Sequence, residues 1–236
     1  MPHLLRIAIN DESILLWGSC RTCFPKPGIA LILFSPGADA GYFGRMESSL
    51  PDWTLEPIAH YLDLLDRWSR THALTSLEKE QRHEELILDS AVLLPYLGPL
   101  PAGSRVVDFG TGMGIPAILI ALARPDLEII ALDKSNKKIS FVRQAALELR
   151  MANLVPMVGR AEAMTPLGAH AGVAKAVGTL DLLGGWWRRH GLPGASFWAL
   201  KGPQGPWEAP QGFRVRAYPY QLPSRGQRTV VEFFNG

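Results

Sequence analysis

The sequence predicts an α/β fold in which a doubly wound sheet carries helices on both faces, ends in an antiparallel edge and follows a helical N-terminal segment. From residue 103 onward, short β-branched runs alternate with apolar runs of helical length, which is typical of a parallel sheet built from βαβ units. The last two β-like runs have no helix between them, so they predict the antiparallel edge. A glycine-rich turn follows the first run, where doubly wound sheets bind ligands.

The composition is that of a globular protein, with 236 residues of which 47% are hydrophobic and 19% charged. No stretch reaches the roughly 18 apolar residues that cross a bilayer, and the polar residues 10–13 argue against a signal peptide. We therefore expect a cytoplasmic protein with no membrane contact. The two cysteines, Cys20 and Cys23, have no second pair of ligands at zinc spacing, so we expect free thiols and no metal.

Charge is unevenly distributed along the chain. Residues 1–133 carry 10 Lys and Arg against 17 Asp and Glu, whereas residues 134–236 carry 14 against 5. The C-terminal part is therefore strongly basic, which favours a polyanionic partner. A solvated basic surface would give the same counts.

The chain divides into three predicted parts. Residues 1–45 are rich in Gly, Pro, Ser and Cys and lack a helical period, so they predict an irregular extension, with Met46 as a candidate true start. A short β-like appendage is the alternative. Residues 46–100 are predicted to be helical, and residues 101–236 are predicted to form the ligand-binding domain.

Two helices are predicted in the second part. Apolar residues recur at steps of three and four between Leu55 and Trp68, which predicts one amphipathic helix. Thr75 and Glu78 have the spacing of a capping box, which predicts the start of a second helix that ends at Pro95.

The third part predicts seven strands and three helices. A proline at position 116 suits the first turn of the first of these helices, because its missing N–H would have no partner there. The predicted strands are 105–109, 127–133, 154–158, 171–177, 195–202, 213–220 and 228–234, and the predicted helices are 115–123, 135–150 and 180–189.

The glycine turn has the pattern D-x-G-x-G-x-G, formed by Asp108, Gly110, Gly112 and Gly114. A dinucleotide fingerprint needs a glycine at the position of Ile115, which counts against a nicotinamide oxidoreductase. The pattern suits S-adenosylmethionine, which has no pyrophosphate to place at a helix N-terminus. A tight turn with incidental acidic residues is the structural alternative.

Acidic residues follow the next two strands as well. Asp133 ends the second strand, where a carboxylate can accept hydrogen bonds from both ribose hydroxyls. Ala161 and Glu162 follow the third strand, where an adenine edge would lie. The ordered set of loop and acidic residues is more specific than the glycines alone.

Several segments resemble the RsmG (GidB) family of bacterial methyltransferases. They are "LDRWSRTHALTS", "LILDS", "VVDFGTGMGIPA", "LDKSNKKISFVRQAALEL", "GRAEAM" and "ALKG", in the family's order between about Leu55 and Val231. The resemblance implies a Rossmann-like class I methyltransferase that modifies ring nitrogen 7 of a guanine in 16S ribosomal RNA, with S-adenosylmethionine as cofactor. It also implies a 16S RNA or small-subunit partner and cofactor contacts at Gly110, Ile115, Ala161 and Glu162.

Several positions depart from the family's pattern, and three of them concern implied cofactor or RNA contacts. Lys175 stands where the family has an arginine that touches the cofactor. Glu85 and Leu86 stand where the family has Arg-His. Arg82 and His83 lie about one helical turn earlier, so we hypothesise that they present the same groups to RNA.

No catalytic acid, base or nucleophile is expected for this reaction. Ring nitrogen 7 has a free lone pair and no proton to remove, so orientation and electrostatics are expected to suffice. The basic residues expected to meet RNA phosphates, besides Arg82 and His83, are Lys137, Lys138, Arg143, Lys175 and Lys201.

The resemblance thus implies a ribosomal RNA (guanine-N7) methyltransferase, which we expect to be a monomer. Two alternatives stay open: a class I methyltransferase acting on a small molecule, and a paralogue that binds S-adenosylmethionine without acting on RNA.

Overall fold

The computed structural model describes residues 4–9, 12–17, 31–33, 50–72 and 74–235. Strands β1 (Leu4–Ile9), β2 (Glu12–Trp17) and β3 (Leu31–Leu33) pair antiparallel in a sheet of their own, so part of the segment 1–45 has regular β-structure. Cys20, Cys23 and Met46 lie outside the described residues. The predicted thiol state, start site and domain boundaries therefore stay predictions.

The first predicted helix is confirmed as α1 (Leu55–His72), which follows a 3-10 turn at Asp52–Thr54. Its buried face agrees with the predicted one except at the start of the helix. Ile58 and Leu65 are buried, and Leu62 and Trp68 pack against the core, whereas Leu55 is 55% exposed. The buried face also includes Tyr61 and Leu64, because the Tyr61 hydroxyl donates to the Met113 carbonyl.

The second helical stretch is interrupted. It runs as α2 (Lys79–Arg82), a π-helical turn at His83–Leu88, α3 (Asp89–Ala91) and, after a two-residue turn, α4 (Leu94–Leu97). The expectation of a helix ending at Pro95 is therefore wrong. Pro95 lies in the first turn of α4, where a backbone N–H would have no partner within the helix, so the N–H that proline lacks is not missed.

The predicted capping box is also wrong. The Thr75 hydroxyl accepts the Leu77 N–H at 3.1 Å in a local turn, and Glu78 caps α2 through its backbone position without a side-chain bond. A threonine can satisfy a backbone donor two residues ahead as easily as a helix N-terminus.

The main sheet has seven strands in the order β6-β5-β4-β7-β8-β10-β9. Strands β6, β5, β4, β7 and β8 are parallel, and β10 and β9 run antiparallel at one edge, as predicted. The strands are β4 (Arg105–Phe109), β5 (Glu128–Asp133), β6 (Leu154–Val158), β7 (Ala169–Lys175), β8 (Gly191–Lys201), β9 (Phe213–Leu222) and β10 (Gly226–Asn235).

Helices cover both faces of this sheet. They are α5 (Ala117–Ala123), α6 (Asn136–Glu148) and α7 (Leu180–His190), each close to its predicted position. Pro116 caps α5 rather than occupying its first helical position. Val106 and Val107 point to opposite faces of β4 and belong to two different apolar clusters, one under α1, α5 and α6 and one under α7.

A buried arginine joins the helical segment to the sheet domain. Arg124, at the end of α5, donates to the carbonyl oxygens of Leu97 at 2.6 Å and Leu100 at 2.9 Å. It also pairs with Asp126 at 2.7 Å, and its side chain is 9% exposed. The guanidinium therefore gives a donor to the Leu100 carbonyl, just after α4, and a second donor to the Leu97 carbonyl, which also accepts the Leu100 N–H.

We expect Arg124→Met to lower the free energy of unfolding by about 2–4 kcal/mol, because it leaves buried carbonyls and Asp126 without their donor. Urea unfolding monitored by circular dichroism measures the change. Arg70→Met, at an exposed position on α1, is the matched control and should change stability by less than about 0.5 kcal/mol. Equal effects of the two substitutions would contradict a structural role for Arg124.

Candidate functional site

The glycine turn forms a tight loop at the carboxyl end of β4. Gly110, Gly112 and Gly114 all have positive φ, at 71°, 60° and 93°. The N–H groups of Gly110 and Thr111 both donate to the carbonyl of Leu132 on β5, at 2.8 and 2.9 Å. The loop is thus fixed to the neighbouring strand by its own main chain.

The three glycines are needed for different reasons. A Cβ at Gly110 would lie 2.6 Å from Val177, and a Cβ at Gly114 would lie 2.5 Å from Ile118, so close packing excludes side chains there. A Cβ at Gly112 would meet only the Gly110 carbonyl oxygen, at 3.9 Å. One side of the loop is therefore open at Gly112, and a ligand can approach its backbone there.

Two side chains brace the loop. The Asp133 carboxylate accepts the Gly112 N–H at 3.0 Å with one oxygen and the Ser135 N–H at 2.8 Å with the other. From the other direction, the buried Tyr61 hydroxyl donates to the Met113 carbonyl at 3.1 Å. Each carboxylate oxygen of Asp133 keeps a further lone pair, so the residue can also accept ribose hydroxyls.

Asp108 lies beneath the loop and is fully buried. One of its oxygens accepts the Ala117 N–H at 3.1 Å, which ties β4 to the start of α5. Burial raises the pKa of Asp108 to about 7, against the opposing effects of the Thr111 hydroxyl and the Ala117 N–H. Asp108 thus supports the loop from beneath, and the Asp133 carboxylate is the negative group that a cationic ligand such as a sulfonium would meet there.

The other predicted cofactor contacts differ in how far their side chains are exposed to a ligand. Ile115 is 4% exposed and its N–H donates to Thr111, while Ala161 is 5% exposed and its carbonyl accepts His190 Nε2 at 2.8 Å. Glu162 is exposed, 3.6 Å from Arg160. Its side chain is free to reach a ligand, whereas Ile115 and Ala161 could offer mainly their main chains. All three contacts stay predictions.

A cleft of about 500 Å³ opens beside the loop, and its wall includes Val177, the residue that packs against Gly110. Lys175 forms a buried ion pair with Asp89, which also accepts the Tyr220 hydroxyl at 2.5 Å. The cleft is lined by Glu85, Asp89, Lys175, Ala176, Val177, Gly178, Leu200, Lys201, Gly202 and Arg228.

Lys201 is held differently from Lys175. Its Nζ donates to the carbonyl oxygens of Val177 at 3.0 Å and Gly178 at 2.7 Å. Burial lowers the pKa of Lys201. Two of the three ammonium protons are thus used, and the third is available to a ligand in the cleft.

The remaining predicted RNA contacts lie outside the cleft. Arg82 pairs with Asp66 and donates to the Leu77 carbonyl at 3.0 Å, with only 12% of its side chain exposed. His83 is exposed. Glu85, and neither Arg82 nor His83, lines the wall of the cleft. The placement of Arg82 and His83 therefore does not support the hypothesis that they present the family's Arg-His groups to RNA, and this hypothesis stays a prediction.

Three predicted RNA contacts lie on α6. Lys137 and Arg143 are exposed, and Lys138 lies 3.9 Å from Asp133. They remain candidates for phosphate contacts near the cofactor loop.

Sequence reasoning missed Asp89, Tyr220, Arg225 and Arg228 as site residues. Asp89 belongs to the quoted "LILDS" segment, which was a usable signal. The others enter the site only through the pairing of β9 with β10, which places them beside the helical segment about 140 residues earlier in the chain.

Within the described part of the chain, no group of three or more His, Cys, Asp or Glu side chains is arranged to hold a metal ion. The described helices include none with the length and apolar character of a bilayer span.

Comparison with protein families gives a match over more than half of the chain. The family model GidB, described as rRNA small subunit methyltransferase G, matches residues 54–214. Relatives named ribosomal RNA small subunit methyltransferase G include one from Yersinia pestis (strain Pestoides F), 39% identical over 162 residues, 65% of this chain and 74% of the relative. Another, from Klebsiella pneumoniae (strain 342), is 38% identical over 161 residues, 65% and 73% of the two chains.

Solved structures share the fold at low identity. A SAM-dependent methyltransferase from Aquifex aeolicus has a TM-score of 0.52 and 14% identity over 69% of this chain and 97% of that one. Magnesium protoporphyrin IX methyltransferase from Synechocystis PCC 6803, solved with bound SAH, has a TM-score of 0.52 and 16% identity over 79% of this chain and 100% of that one. These likenesses establish the class I methyltransferase fold.

We expect Asp108 to make stability depend on pH. Its pKa is about 7 in the folded protein against 3.8 when unperturbed, so the folded state favours the protonated form. This contribution to stability is complete below about pH 4 and is lost as pH rises to about 7. In Asp108→Asn the amide oxygen still accepts the Ala117 N–H but cannot ionise, so this dependence disappears.

Urea unfolding of both proteins at pH 5 and pH 8 measures the effect. The stability of Asp108→Asn relative to the unsubstituted protein should rise by about 1–3 kcal/mol between the two values. Other titrating groups are common to both proteins and cancel in this comparison. A constant difference across the pH range would show that Asp108 ionises in the folded state at its ordinary pKa.

Proposed function

The chain belongs to the GidB family of small-subunit ribosomal RNA methyltransferases, and on this premise we propose that it methylates ring nitrogen 7 of a guanine in 16S ribosomal RNA. It is an S-adenosylmethionine-dependent methyltransferase. The observation that carries the proposal is the open glycine loop braced by Asp133, with a charged cleft directly beside it.

The described residues suit S-adenosylmethionine. The open side of Gly112 admits a ligand against the backbone, and Asp133 retains lone pairs for ribose hydroxyls. Glu162 and Lys175 are proposed to contact the rest of the cofactor, Asp108 supports the loop from beneath, and the Asp133 carboxylate favours the positive charge of the sulfonium. The bound cofactor supplies an activated methyl group, and the protein fixes its position relative to the cleft.

The cleft is suited to receive the base that accepts the methyl group. Nitrogen 7 of guanine needs no deprotonation, so no general base is required, and the protein acts by orientation. Methylation leaves the guanine ring positively charged, and the carboxylates of Glu85 and Asp89 lie in the wall of the cleft. Preorganised negative charge near a developing cation lowers the barrier to its formation.

RNA contacts are proposed on two sides of the loop. Lys175 and Lys201 lie in the cleft, and Lys137, Lys138 and Arg143 lie on α6. The basic C-terminal part of the chain supports a polyanionic partner, either 16S RNA or the small ribosomal subunit. Arg82 and His83 are proposed as outer contacts only. We propose that the protein acts as a cytoplasmic monomer.

We expect Asp133→Asn to weaken binding of S-adenosylhomocysteine by about 10- to 100-fold. The carboxylate accepts the Gly112 N–H with one oxygen and the Ser135 N–H with the other, whereas an amide has only one oxygen and loses one of these hydrogen bonds. Isothermal titration calorimetry measures the affinity. Glu128→Gln, at the opposite end of the same strand, is the matched control and should leave the affinity unchanged. Equal affinity in the two variants would remove Asp133 from the cofactor site.

Methyl transfer tests the proposed function directly. Labelled S-adenosylmethionine is incubated with small subunits, and separately with naked 16S RNA, from cells that lack this gene, and the labelled nucleoside is identified by mass spectrometry. We expect 7-methylguanosine. We also expect RNA binding to weaken by at least about tenfold between 50 and 200 mM salt, as phosphate contacts require.

Label in a different nucleoside would correct the target atom. Cofactor binding without label in any ribosomal RNA would overturn the proposed function in favour of a small-molecule substrate or a non-catalytic paralogue.

A further inference from the structure

The turn between β9 and β10 directs its polar groups at two adjacent carboxylates. The Ser224 N–H donates to Glu84 at 2.7 Å, and the Ser224 hydroxyl donates to the other oxygen of Glu84. Arg225 Nε lies 2.5 Å from Glu85 Oε1, and Arg228 lies 3.9 Å from the same atom. We call residues 223–228 the hairpin turn.

These donors form a set that is typical of phosphate sites. A backbone N–H, a hydroxyl and two guanidinium groups converge on negative charge. The Ser224 hydroxyl, followed by the N–H groups of Ser224 and Arg225 and the charge of Arg225, holds the pKa of Glu84 below its usual range. The Glu84 carboxylate is therefore ionised and occupies the turn as an anion, and the Glu85 carboxyl group lies beside it against Arg225.

The hairpin turn is accessible and close to the cleft. Ser224 and Arg225 lie at the surface, with 34% of the Arg225 side chain exposed, so a large polyanion can reach them. Arg228 lines the cleft together with Val177, which packs against Gly110 of the cofactor loop. A phosphate bound at the turn would thus lie beside the opening through which the target base enters.

We propose that the hairpin turn binds a phosphate of the RNA substrate, and that Glu84 and Glu85 occupy it in the free protein in place of that phosphate. The identity of the polyanion rests on the proposed function. RNA binding then exchanges one set of anions for another at the same donors. The turn lies beyond the residues that the family model matches, which end at 214.

The exchange has a consequence that a purely structural contact lacks. If the carboxylates compete with RNA, then removing their charge strengthens RNA binding even where it weakens the contact between the turn and the helical segment. If the contact only holds the fold together, the same change weakens binding or leaves it alone.

The experiment compares three double variants by filter binding to 16S RNA, with S-adenosylhomocysteine saturating. Glu84→Gln/Glu85→Gln removes the competing anions, and Arg225→Met/Arg228→Met removes the cationic donors. Glu78→Gln/Glu80→Gln is the control, since it makes the same change of net charge at exposed positions just upstream that make no ion pair within the described residues. Retained binding of S-adenosylhomocysteine shows that each variant is folded.

We expect Glu84→Gln/Glu85→Gln to bind RNA about 5- to 10-fold more tightly than the control variant. Arg225→Met/Arg228→Met should bind about 10-fold more weakly, and its plot of log affinity against log salt should be shallower by about 2. Combining all four substitutions should abolish the gain, because the freed donors are then missing.

RNA binding by Glu84→Gln/Glu85→Gln that is no tighter than that of the control variant would overturn the proposal. Tighter RNA binding that persists when Arg225 and Arg228 are also replaced would overturn it as well. If a double variant does not fold, the single variants Glu85→Gln and Arg225→Met carry the same test. The proposed function fails separately, when the unsubstituted protein places no methyl group in ribosomal RNA although the binding shifts occur.

Discussion

The cofactor loop is held to the end of β5 by three hydrogen bonds, and the bond from the Gly112 N–H to the Asp133 carboxylate at 3.0 Å is the one that a side chain provides. It joins the loop after β4 to the end of β5, so the positions of the two neighbouring strand ends are coupled. Because Gly110 packs against Val177, the same loop also fixes the wall of the cleft beyond β7. A change at Asp133 would therefore disturb the open part of the loop at Gly112, whereas the bonds of Gly110 and Thr111 to Leu132 would still hold the part that packs against Val177.

Charge in the cleft is paired rather than left open. Lys175 is neutralised by Asp89, Lys201 is bound by two carbonyl oxygens, and Arg228 faces Glu85. The excess of basic residues in the C-terminal part of the sequence thus overstates the positive charge available in the cleft. Counting charges identifies the class of partner, whereas the pairing decides which of those charges a ligand can reach.

The sequence predicted the features that local pattern determines. Strand and helix periods placed β4 to β10 and α5 to α7, and glycine spacing placed the loop, because each depends on residues close in the chain. Predictions failed where distant residues decide. Tyr61 rather than Leu55 is buried because its hydroxyl reaches Met113, and the Thr75 hydroxyl accepts the Leu77 N–H instead of capping a helix. Arg225 and Arg228 escaped notice because nothing near them in sequence indicates their contact with Glu85.

The same contacts give a physical account of how this chain departs from its family at Glu85 and Leu86. Leu86 is 3% exposed and packs in the larger apolar cluster, so an apolar residue suits that position. At Glu85 the resemblance expects an arginine on the helical segment, and here the guanidinium groups come from the hairpin turn and meet a carboxylate on that segment. Positive charge at this side of the cleft is therefore supplied in this chain by the hairpin turn. Its presence beside Glu85 is compatible with an RNA substrate.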